Sequence, residues 1–167
     1  MAKSRVSRRK NSKSVSGRYA QSIGETWESV IQNETGRYAG LILVKQHPET
    51  GFFGRGQAKV VGTAWADYIC MGKNFVCTFD AKTTQNKTRL TLPQKTLHQF
   101  VKLKLADSVG IPSFYLTWWR SKNIVCAHFI NGDSKWPLTM DTDTAEFMHA
   151  LEPGWMVDLI DKIKEGR

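Results

Sequence analysis

Residues 67–82, Asp-Tyr-Ile-Cys-Met-Gly-Lys-Asn-Phe-Val-Cys-Thr-Phe-Asp-Ala-Lys, constrain the fold more than any other stretch of the chain. One apolar run ends near Cys70 and a second begins at Phe75, and the Met71-Gly72-Lys73-Asn74 between them predicts a β-hairpin turn. In the second run Phe75, Cys77, Phe79 and Ala81 alternate with Val76, Thr78, Asp80 and Lys82. Strand side chains alternate faces, so Asp80 and Lys82 share one face and the large apolar groups take the other. Asp67, on the partner strand, is within reach of Asp80 across such a hairpin. Two carboxylates and a lysine on one spot make a hard-oxygen metal site with a cation beside it. The same residues also suit the solvated face of an edge strand, and spacing alone leaves both readings open.

The length, 167 residues, fits one domain with an arm, divided here as a basic flexible arm over 1–20 and a single domain over 21–167. A hydrophobic content of 41% with 11% aromatics is that of a globular protein. No apolar run approaches the roughly 20 residues of a membrane span, and no apolar segment follows the basic N-terminus as a secretory signal requires. Most of the net charge of +9 comes from Lys3, Arg5, Arg8, Arg9, Lys10, Lys13 and Arg18, with no acid among them. A Ser/Arg/Lys segment of this kind is too polar to pack and binds polyanions, nucleic acid foremost. It also suits a plain solubility tail. Cys70, Cys77 and Cys126 have neither a CxxC spacing nor a histidine partner, so reduced thiols and a cytoplasmic setting are expected.

A helix is expected from Ser22 or Gly24 to Gly36, with Ile23, Trp27, Val30 and Ile31 at helical spacing and Glu28 at the edge of the apolar stripe. Leu41–Val44 reads as a strand, and residues 47–56 as a loop whose Arg55, with Lys59 beyond, suits phosphate contacts. Thr83–Arg89 is a polar connector. Pro93 introduces a second helix with Leu97, Phe100, Val101 and Leu105 as its buried stripe and Gly110 as its stop. Residues 111–119 and 123–130 predict another hairpin, in which one of Trp118 and Trp119 must be covered by a further element. Residues 142–150 and 153–164 read as two short helices with Phe147, Leu151, Val157 and Ile160 inward. This order of elements predicts an α/β or α+β layer fold.

Three separated features then align: Trp27-Glu28 on the first helix, Asp67, and Asp80-Ala81-Lys82. A helix glutamate, an aspartate and an acid-x-Lys resemble the signature of the PD-(D/E)xK nuclease superfamily. Phe79-Asp80-Ala81-Lys82-Thr83-Thr84, Asn86-Lys87-Thr88, His98-Gln99 and Gly110-Ile111-Pro112-Ser113-Phe114 further resemble the RecU-type Holliday-junction resolvases, over roughly residues 22–132. Residues 45–66 depart from that pattern, being short for the stalk those enzymes insert.

The resemblance implies a restriction-endonuclease-like core, a central mixed β-sheet flanked by helices. It implies Glu28, Asp67, Asp80 and the Ala81 carbonyl as ligands of Mg²⁺, with Mn²⁺ able to substitute, and leaves Glu25 as a competitor of Glu28. It implies Lys82 as the group that orients or deprotonates water and Gln99 as its companion. Thr83, Thr84 and Lys87 would join the arm in holding DNA. A homodimer acting on four-way junctions in a bacterial or infected cell follows from it. The alternatives from the same residues are a nicking or restriction-like endonuclease and a non-catalytic DNA-binding protein.

Overall fold

The computed structural model describes residues 11–46, 50–53, 57–60 and 66–166. The hairpin expected at 67–82 is its centre. Strands β4 (Tyr68–Gly72) and β5 (Phe75–Thr84) pair antiparallel, from Tyr68 opposite Phe79 to Gly72 opposite Phe75. Asn74 takes φ 64° in the turn, and a Cβ on Gly72 would meet the Phe75 ring at 2.1 Å, so this turn needs its glycine.

Around it the sheet is built from β1 (Ile42–Lys45), β7 (Ser113–Trp119), β8 (Ile124–Ile130) and β10 (Phe147–Ala150), in the order β1-β4-β5-β7-β8-β10. Only β5 and β7 pair in parallel among these neighbours, which makes the sheet mixed. Their crossover contains α2 (Leu97–Ser108), as a parallel connection requires. The α+β fold with a mixed sheet between helices is the one expected.

The period-2 pattern of β5 sorts the two cores. Phe75, Cys77 and Phe79 join Phe114 and Leu116 of β7 under α1 (Asn11–Thr35) and α3 (Trp155–Glu165). Trp27 of α1 lies between Trp118 (ring centroids 5.8 Å apart) and Trp155 (5.9 Å), so α1 is the element that covers Trp118. Buried Glu34 ties the two helices together, accepting from the Gly154 amide at 2.6 Å and from the Tyr38 hydroxyl at 3.0 Å. On the other face Tyr115 packs with Phe100 and Leu103 of α2, joined by Leu92 and Met140. Those last two flank or lie in a separate antiparallel ribbon, β6 (Arg89–Thr91) with β9 (Thr139–Asp141).

Several expectations are corrected. The first helix begins at Asn11 rather than at Ser22 or Gly24, so Lys13 and Arg18 fall within its span. No proline interrupts 11–21, and extending a helix already docked through Trp27 and Ile31 needs no new nucleus. The expected loop at 47–56 contains β2 (Thr50–Phe53), which pairs with β3 (Gln57–Val60) as a two-stranded ribbon. In α2, Phe100 is buried as expected, but Val101 and Leu105 are 55% and 51% exposed, and Leu103 and Ala106 are buried in their place. The helix is apolar on more than one side, and the side that docks is fixed by Tyr115 and Ile130 beneath it. Residues 142–150 form a 3-10 turn (Thr142–Thr144) and β10 rather than a helix. Phe147 and Leu151 imitate a helical i, i+4 pair, yet Phe147 is buried as an edge-strand residue opposite Ala127. Val157 is half-buried, and Trp155, Met156, Leu159, Ile160 and Ile163 form the inner face of α3.

Candidate functional site

Asp67, Asp80, Ala81, Lys82 and Gln99 converge where two strands part. The pairing of β4 with β5 stops at Tyr68–Phe79, whereas β5 stays paired with β7 through Thr84. From Asp80 onward β5 therefore has one edge without β4. Asp67, the residue just before β4, fills the gap: its Oδ2 accepts from the Ala81 amide at 2.9 Å, and its own amide donates to Asp80 Oδ1 at 3.1 Å. N–H and C=O of one strand residue point the same way, so the Ala81 carbonyl faces the Asp67 side as well.

Asp80 is fully buried, and with both carboxylates ionised its Oδ2 has no hydrogen-bond partner among the described residues. Burial is the main cause that lifts its pKa to about 7; the Lys82 charge opposes the rise, and the Asp67 charge and a carboxyl–carboxyl hydrogen bond to Asp67, made when one of the two is protonated, add to it. An unpaired oxygen on a buried carboxylate is costly unless a cation or donor meets it. Lys82 Nζ donates to Gln99 Oε1 of α2 at 3.1 Å and lies 3.8 Å from Asp67 Oδ2. It also sits over the ring of Tyr115, 5.6 Å from the centroid. The chemistry of this donor set, two carboxylates and a carbonyl beside an ammonium, fits a hard divalent cation.

Glu28 stands apart from this group. Its Oε2 is ion-paired to Lys45 of β1, and among the described residues no three acidic, histidine or cysteine side chains gather as a metal cluster. Trp27, buried beside it, fixes that turn of α1 at the sheet, and Lys45 lies opposite Tyr68, next to Asp67. Glu28 is thus near the mouth of the site but held by a lysine. Glu25 makes a different contact, accepting from Gln21 on the exposed side of α1.

The remaining candidates spread outward. Thr83 is half-buried near the end of β5. Thr84 is buried, and its hydroxyl accepts from the Asn86 amide at 3.0 Å, so it shapes the turn after β5. Lys87 is exposed in that turn, and Lys59 lies in β3. Lys3, Arg5, Arg8, Arg9, Lys10 and Arg55 lie outside the described residues. Lys45 and Tyr115 were not singled out by sequence reasoning. Lys45 lies one residue past Leu41–Val44, the run expected as a strand, and Tyr115 looks like one more core aromatic. Only the register across β5 and β7 places it level with Asp80.

No protein-family model matches the chain, and none of the curated proteins matches it. Among solved structures it is similar to Hjc of Archaeoglobus fulgidus, a Holliday junction resolvase from an archaeal hyperthermophile. That similarity has 12% sequence identity and a TM-score of 0.44, and covers 71% of this chain and 88% of the other. Among the described residues no helix is long and apolar enough to cross a membrane.

Proposed function

We propose that this chain is a metal-dependent endonuclease that cuts branched DNA, with the four-way junction as its substrate. The observation that carries the reading is the join between Asp67 and Asp80: each carboxylate is locked to the other's backbone segment, and Asp80 Oδ2 is left buried and open. A fold does not retain such an arrangement for stability, because a buried unpaired carboxylate weakens it.

Asp67, Asp80 and the Ala81 carbonyl would hold Mg²⁺ or Mn²⁺, and Glu28 would join them on leaving Lys45. The cation, when bound, supplies charge to the scissile phosphate and acidity to water. The chain's own part is positional. Lys82, held by Gln99, puts an ammonium within reach of a phosphate oxygen and of the attacking water. Gln99 keeps that ammonium from closing fully on Asp67. The basic N-terminal residues, with Lys87, would add salt-dependent, sequence-independent DNA affinity. Symmetric cutting of a four-way junction needs two such sites related by a two-fold axis, hence a homodimer.

The test is one assay on four labelled substrates: a four-way junction, a nicked duplex, a flap and a linear duplex. Paired cuts near the crossover, with the junction preferred at least tenfold, are expected. Preference for a defined duplex sequence would assign the same chemistry to a nicking or restriction-like enzyme. Binding without any cleavage in Mg²⁺ or Mn²⁺ would leave a DNA-binding protein.

A further inference from the structure

We propose that Tyr115 is a positioning residue of this site: its ring is the platform that keeps the Lys82 ammonium from closing to hydrogen-bond distance on the two carboxylates. The consequence for catalysis rests on the nuclease reading above; the geometry does not. Tyr115 lies in β7 directly opposite Asp80 of β5, on the face covered by α2, and is fully buried. Lys82 is opposite Thr117, so its side chain leans back along β5 to bring Nζ over the Tyr115 ring at 5.6 Å. That distance is within the reach of a cation–π contact, which gains strength where water is excluded. The Lys82 side chain is only 18% exposed.

A lysine ammonium two residues from a buried aspartate, on the same strand face, would ordinarily close on it as an ion pair. Here it does not. Asp80 Oδ2 is unpaired, and the 3.8 Å from Lys82 Nζ to Asp67 Oδ2 exceeds the roughly 2.7–2.9 Å of a charge-assisted hydrogen bond. Nζ is held instead by Gln99 Oε1 at 3.1 Å from α2 and by the ring from β7. A flexible four-carbon stem has no stiffness of its own to do this. The platform therefore has two effects: it keeps carboxylate oxygens open, and it fixes where the ammonium meets a ligand. Tyr115 Oη makes no hydrogen bond among the described residues, so the ring rather than the hydroxyl is given the role.

The proposal separates ring from hydroxyl, so Tyr115→Phe and Tyr115→Leu are compared in the full-length protein. With ¹³C-labelled lysine, and Lys82 assigned through Lys82→Arg, the ε-methylene of Lys82 is expected upfield of the other lysines from the aromatic ring current. The shift persists in Tyr115→Phe and disappears in Tyr115→Leu. In junction cleavage, Tyr115→Phe keeps wild-type kcat. Tyr115→Leu loses roughly five- to thirty-fold in kcat, the range a desolvated cation–π contact corresponds to, with KM unchanged. In a Lys82→Ala background Tyr115→Leu costs nothing further. Equal losses in the two variants, or a loss that adds to that of Lys82→Ala, would overturn the proposal. If Tyr115→Leu does not fold, the wild-type spectrum still decides, since a Lys82 ε-methylene at the solvated position refutes the platform. If the wild type cleaves no DNA, the nuclease reading fails while the spectrum reports on the platform by itself.

Discussion

Asp80 concentrates the conflict between stability and function in one side chain. The Asp67 amide satisfies Oδ1, burial leaves Oδ2 without a partner among the described residues, and that burial lifts the pKa to about 7. A carboxyl group whose pKa is raised on folding favours the folded state at acid pH, below its unfolded value near 4. That favour is lost as pH rises through about 7, where the buried group must ionise. Asp80→Asn removes the charge and keeps the shape. Without divalent cations, the Tm of Asp80→Asn is expected to exceed that of the wild type at pH 8 by roughly 3–6 °C, about 1–2 kcal/mol in a chain of this size. The gap should shrink towards pH 5. Thermal melts followed by circular dichroism check this, and a wild type more stable than the variant at pH 8 would contradict it. Asp80, Lys82 and Asp67 were legible in the sequence because all three lie along one hairpin. Tyr115 and Lys45 were not, because their places beside the site come from pairing across other strands.

At the scale of elements, α2 shows what a linear pattern leaves open. Leu97, Phe100, Val101 and Leu105 make a plausible stripe, but Leu103 is the fully buried residue and Val101 and Leu105 face solvent. A helix with apolar residues on two sides docks by what lies beneath it, here Tyr115 and Ile130, and a sequence window does not contain that information. Urea unfolding is the check. Leu103→Ala is expected to cost about 2–5 kcal/mol, whereas Leu105→Ala should stay within roughly 0.5 kcal/mol. The opposite ranking would mean that α2 is rotated from the orientation described. The orientation matters to the site, because Gln99 reaches Lys82 from this helix. The same limit explains residues 147–150, where a four-residue edge strand carries too short a pattern to be told from a helix. It explains β2 of the small ribbon as well, whose Gly51, Phe52 and Phe53 read as part of a loop.

For the whole molecule, the mixed sheet has one organising event: β4 leaves β5 after Phe79, and the opening is where the polar residues of the chain's central hairpin collect. One face is sealed by α1 and α3 over a large aromatic core, the other by α2, and the Asp67–Asp80 pair lies at the parting between them. The α+β architecture followed from the order of elements, and the chemistry from the spacing of four residues. What joins the two is the gap at Ala81, which only the register reveals. We propose that this gap holds a metal-dependent hydrolytic centre built on Asp80. Incubating a synthetic four-way junction with wild type and Asp80→Asn, in Mg²⁺ and in EDTA, tests it most directly. Wild type should cut in Mg²⁺ and not in EDTA, and Asp80→Asn should bind the junction but cut at least about a hundredfold more slowly. Undiminished cutting by Asp80→Asn, or by the wild type in EDTA, would contradict the claim.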